Sequence, residues 1–88
     1  MGFVYTSHYK RAYTRMTKDA QSKLTAALRR LEDDPRHPSL HTERVRGAKG
    51  SDIMAARISD DMRFTFEIQG DDIVLRTVGA HDDVYRNP

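Results

Sequence analysis

Between Met62 and Gln69, apolar and polar residues alternate without a break: Met62, Phe64, Phe66 and Ile68 against Arg63, Thr65, Glu67 and Gln69. Only an extended strand places every second side chain on one face. The stretch therefore predicts a half-buried β-strand whose phenylalanines enter a core. Gly70-Asp71-Asp72 reads as the hairpin turn that follows, because Gly and Asp tolerate the backbone angles such turns require. The β-branched run from Ile73 to Gly79 is its partner, a strand covered on both faces. A shorter strand, Ile53 to Ile58, precedes the pair and turns at Ser59-Asp60-Asp61.

The two-residue period also assigns faces. With Met54, Ala56 and Ile58 directed to the same core as Met62, Phe64 and Phe66, Arg57 and Arg63 share the opposite face. Placing Ile73, Leu75 and Thr77 in the core puts Arg76 on that open face too. Three guanidinium groups on one sheet face suit an anionic partner, and they equally suit a solvated sheet.

The upstream half supplies the cover for this meander. Phe3 to Thr6 is a short strand, and Ser7 is read as the cap of a first helix in which Tyr9, Ala12, Tyr13 and Met16 recur at helical spacing. Thr17 caps a second helix with Asp19 in its first turn and a stripe of Ala20, Leu24, Ala27, Leu28 and Leu31. Asp33-Asp34-Pro35 stops it. Arg36 to His41 is a loop, Thr42 to Val45 a further strand, and Gly47-Ala48-Lys49-Gly50 a flexible connector. The order β-α-α-β-β-β-β predicts an α+β fold: a small, mainly antiparallel sheet with a helical hairpin packed on one face.

Eighty-eight residues fit a single domain, residues 1–88, with one modest core that buries roughly 60–65% of the unfolded chain's surface. The absence of cysteine excludes disulfides and thiolate chemistry and fits a reducing cytoplasm. No apolar run approaches the roughly 20 residues of a membrane span. The formal net charge of +2 permits an anionic partner without demanding one, so the placement of the arginines carries more than their sum. His37 and His41 have a spacing seen at metal sites, but Pro38 lies between them and no thiolate completes a set.

Several motifs in order carry a resemblance. Asp34-Pro35 is followed by His37-Pro38-Ser39-Leu40 and Val45-Arg46-Gly47. Then come Ala56-Arg57-Ile58-Ser59-Asp60-Asp61-Met62-Arg63, Gly70-Asp71-Asp72-Ile73-Val74-Leu75, and the closing Val78-Gly79-Ala80-His81-Asp82-Asp83-Val84-Tyr85-Arg86. Over nearly its full length the chain resembles the RelE/ParE-superfamily toxins of type II toxin–antitoxin systems. The resemblance implies a cytoplasmic toxin neutralised by a cognate antitoxin protein. The activity that the resemblance implies divides into two branches: a ribosome-dependent endoribonuclease that cuts messenger RNA, or a ParE-like toxin that binds DNA gyrase and cleaves nothing. A degenerate homologue with neither activity is a third outcome. In the nuclease branch the matching residues are Arg63, His81 and Tyr85 for cleavage, with Arg57 as a further cation. Ala55 stands where some of these nucleases have a lysine, and no carboxylate is evidently in register with the glutamate used as a base in others.

Cleavage of this kind needs no metal or cofactor. The ribose 2′-hydroxyl attacks the adjacent phosphate. That step requires removal of the hydroxyl proton, delivery of a proton to the leaving 5′-oxygen, and cations for the charge on phosphorus. An imidazole can serve either proton transfer, which favours His81. Tyr85 is a weaker base and suits a stacking platform or positioned hydroxyl. Arg63 fits a two-point phosphate contact, with Arg57 and Arg76 on neighbouring RNA phosphates. Structural roles compete at each position: His81 as a loop residue bonded to Asp82 or Asp83, and Tyr85 as a lid on the core.

Overall fold

The computed structural model describes residues 2–45 and 52–88. Five strands and three α-helices follow in the order β1 (Gly2–Tyr5), α1 (Ser7–Thr14), α2 (Lys18–Asp33), β2 (Glu43–Arg44), β3 (Met54–Arg57), β4 (Met62–Gln69), β5 (Asp72–Ala80) and α3 (His81–Arg86). A single 3-10 turn, Pro38–Leu40, interrupts the loop expected between α2 and β2. The sheet order is β1-β5-β4-β3-β2, antiparallel except where β1 runs parallel to β5. The α+β architecture is thus as expected, with the first strand on the far edge from the second. The Gly47–Gly50 connector lies outside the described residues.

The alternation in β4 builds the core. Phe64 and Phe66 are buried with rings 5.8 Å apart, and Leu24, Ala27 and Leu31 of α2 close over them with Tyr9 of α1. Removing a phenylalanine ring from such a site costs about 3–5 kcal/mol. Ile68, expected on the same buried face, is 48% exposed, one residue from the hairpin end of β4. Gly70 takes a positive φ of 61° at the first position of the two-residue turn joining Gln69 to Asp72, where a II′-type hairpin requires glycine.

Three local expectations are corrected. The cap of α1 is Thr6, not Ser7: its hydroxyl accepts the Tyr9 amide and donates to the Leu75 carbonyl at 2.8 Å, so it also ties α1 to β5. That helix ends at Thr14, two residues short of Met16, and Gln21 donates to the Tyr13 carbonyl to close the hairpin to α2. Thr77 does not face the main core. A bulge between Thr65 and Phe66 leaves Arg76 without a partner on β4, so Arg76 and Thr77 both lie on the face away from the helices while Val78 joins Phe64 in the core. A bulge of one residue inverts every assignment beyond it.

The arginine face is also less open than the strand pattern implies. The closing run is a helix, α3, whose first amide donates to the Asp61 carbonyl at 2.8 Å and whose Val84 is buried. Asp82 and Asp83 sit in its first turn, where the helix dipole favours them. Among the described residues, no helix is long and apolar enough to cross a membrane.

Candidate active site

The β3–β4 hairpin holds two of the arginines. Arg57 and Arg63 are cross-strand partners on the face away from α1 and α2. Like charges set opposite each other cost a few tenths to about 1 kcal/mol, and the hairpin turn offsets this with acceptors. Asp60 accepts from the Arg57 guanidinium. Arg63 donates to the carbonyls of Ser59 at 2.5 Å and Met62 at 2.9 Å. Arg63 therefore braces the turn from the face away from the core.

Helix α3 brings the aromatic pair. His81 and Tyr85 are one turn apart, with ring centroids 4.5 Å from each other. The Tyr85 ring packs on Val45, Ile53 and Ala55, a second small apolar cluster on this face of the sheet. Its hydroxyl donates to the Glu43 carboxylate. Burial is the main cause that pushes the Tyr85 phenol up to about 12, followed by its hydrogen bond to Glu43 and that residue's negative charge, while Arg63 acts in the opposite direction. The Tyr85 ring thus covers a small apolar cluster apart from the main core, and its hydroxyl belongs to a polar cluster. His81 bonds through Nδ1 to Asp82 at 3.1 Å.

Arg63, Tyr85 and Glu43 consequently form one constellation, with the His81 ring packed at a tilt beside it. Glu43 is the residue that sequence reasoning missed. It lies on a strand of only two residues, too short for a periodic signal, and reaches Tyr85 only because β2 pairs with β3 at Ala55. Alternation from Ala55 would have placed it on the α3 side had that pairing been known.

Arg76 stands apart. Its guanidinium bonds Glu67 at 2.8 Å and the Pro88 carbonyl at 3.0 Å, and Thr65 donates to the same carbonyl. These bonds fasten the chain's last residues to the sheet three positions along β5 from Gly79, the partner of Arg63. His37 is likewise engaged: its Nδ1 accepts from the Ser39 amide at 3.2 Å and lies 2.7 Å from the Ser39 hydroxyl. Among the described residues, no group of three or more His, Asp or Glu side chains is placed to hold a metal ion.

Solved structures share this arrangement of elements. A YoeB/ParE toxin from Agrobacterium tumefaciens superposes with a TM-score of 0.77 at 19% identity, covering 92% of this chain and 99% of that one. YafQ from E. coli gives 0.76 at 10% identity over 92% and 93% of the two chains. The chain has the RelE/ParE toxin fold. The RelB–RelE antitoxin–toxin complex from Methanococcus jannaschii extends the likeness to 97% of this chain and 99% of that one, with a TM-score of 0.72 and 13% identity. No family model and no curated protein matches the sequence. Within the RelE/ParE fold, the constellation occupies the sheet face opposite the helical hairpin, beside the C-terminal helix.

Proposed function

We propose that this chain is the toxin of a type II toxin–antitoxin system and acts as a metal-independent, ribosome-dependent messenger RNA endoribonuclease. The observation that carries the reading is the convergence of a carboxylate, a phenol, a guanidinium and an imidazole from three separate elements on one face. A protein-docking surface has no need for that chemistry. The likeness to YoeB, YafQ and RelE toxins supports the toxin assignment.

In this reading Glu43 takes the proton of the ribose 2′-hydroxyl as its oxygen bonds to phosphorus. The bond from phosphorus to the 5′-oxygen breaks, and His81 delivers a proton to that oxygen as the general acid. The products are a 2′,3′-cyclic phosphate and a 5′-hydroxyl. Tyr85 stays protonated at neutral pH because its phenol titrates at about 12, so it donates and positions Glu43 and does not serve as the base. Arg63, with Arg57 beside it, stabilises the charge on the phosphoryl oxygens. Both arginines exchange their present acceptors, the turn carbonyls and Asp60, for phosphate. Arg76, bound to Glu67 and Pro88, acts as a brace beneath the site and not as a phosphate ligand.

Induced expression without the antitoxin is expected to arrest growth and to create new 5′ ends inside the coding regions of translated messages. Arrest with intact messages and falling DNA supercoiling would assign the chain to the gyrase-binding branch instead.

A further inference from the structure

A second cleft, of about 700 Å³, opens on the helix side of the sheet, where the connection from α2 to β2 passes over the ends of β3 and β4. That volume falls in the range of small-molecule sites, roughly 300–1,000 Å³. Its floor is apolar, made by Met54, Phe66 and the exposed Ile68. Its rim carries Arg36, His37, His41 and Arg44 against one carboxylate, Asp52. Asp52 holds Arg44 at 3.2 Å across a fully wetted contact, a bond that an incoming anion can displace.

The backbone here is held at a cost. His41 takes the left-handed conformation, φ 45° and ψ 46°, and the neighbouring Thr42 hydroxyl is buried with no hydrogen-bond partner among the described residues. Such local strain collects where side chains are held for a ligand. The cleft and the candidate active site lie on opposite faces of the same edge strand. Glu43 pairs with Ala55 and Arg44 with Met54, so these neighbours project to opposite faces of β2, the outermost strand. A strand of RNA that meets Glu43 on one face has a single edge strand to cross before it reaches Arg44 on the other.

We propose that this cleft binds one nucleotide of single-stranded RNA, its base on the Met54–Ile68 floor between the two imidazoles and its phosphate against Arg36 and Arg44. The cationic rim selects an anion, and an apolar floor with two imidazoles on its rim favours a planar base over an acidic peptide side chain. The identity of the RNA rests on the ribonuclease reading.

The test uses the purified full chain and a short oligoribonucleotide methylated at every 2′-oxygen, which cannot be cut. Titration followed by NMR is expected to move the His37 and His41 rings and the Ile68 and Met54 methyl groups in a saturable manner. The double variant Arg36→Ala/Arg44→Ala should weaken those shifts at least tenfold in affinity, while Lys18→Ala, at an exposed position of α2, leaves them in place. Ribosome-dependent cleavage, measured on the same preparations, separates the two claims. Cleft signals that move in a chain that never cleaves support the nucleotide site and remove the nuclease reading. Cleavage with cleft signals unmoved by RNA, an unchanged affinity in the double variant, or a cleft that responds only to an antitoxin peptide overturns the site.

Discussion

Glu43 and Tyr85 stand 42 residues apart in the chain and share a hydrogen bond. Glu43→Gln removes the negative charge and the strong acceptor together, so the Tyr85 phenol is expected to titrate below its present value of about 12, read from the Tyr85 ring resonances against pH. The same variant should lower cleavage by roughly 10²–10⁴, the range a general base contributes. An unmoved phenol would mean that the bond is not formed in solution. The raised phenol has a stability consequence as well. Its protonated form is favoured in the fold, so the contribution is complete below the unfolded value of about 10 and is lost as pH rises through about 12; Tyr9, also pushed up by burial, acts in the same direction. Thermal melts should therefore hold level up to about pH 10 and fall above it, and Tyr85→Phe should shallow that fall. Arg57, Arg63, His81 and Tyr85 were all legible as candidates because their types and spacing match a known constellation. Glu43 was not, since only the long-range pairing of a two-residue strand brings it in.

Among the elements, those with long periodic patterns read correctly and those set by tertiary context did not. The β4 alternation and the α2 stripe each span enough residues for burial to select one face. Helix α3 has six residues and one buried side chain, Val84. No periodicity announces so short an element, and its contacts with β4 and β5 hold it in place. The bulge that turns Thr77 away from the main core leaves no mark in a run of β-branched residues. At the start of α1, Thr6 and Ser7 are both good caps by type, and the tie from Thr6 to β5 decides between them. Thr6→Ala is therefore expected to cost about 1–2 kcal/mol and Ser7→Ala to stay within about 0.5 kcal/mol, measured by denaturant unfolding. Equal effects would return the cap to Ser7.

For the molecule as a whole, the arrangement divides labour between the faces of one sheet. The helical hairpin buries Phe64, Phe66 and Leu75 on one side, which leaves the other free to gather Arg57, Arg63, Tyr85 and Glu43 on rigid backbone. The small second cluster of Val45, Ile53 and Ala55 beneath Tyr85 fixes the phenol without lending it to the main core. Binding of an antitoxin to the proposed toxin would be expected to cover the arginines with acidic or apolar side chains. Copurification with the product of a neighbouring reading frame, and rescue of growth by it, measures this, and independent migration of the two proteins would contradict it.

If this constellation cleaves RNA, Arg63→Ala separates loss of rate from loss of fold when both are read on one preparation. Among the described residues Arg63 bonds the carbonyls of its own turn and lies against the Tyr85 phenol, so its loss should cost no more than about 1–1.5 kcal/mol of stability. The rate of cleavage on messenger-loaded ribosomes should fall by roughly 10²–10³, as for removal of one preorganised donor to a charged transition state, and Arg63→Lys should recover only part of it. A variant that melts as predicted and still cuts at the parental rate would contradict the account.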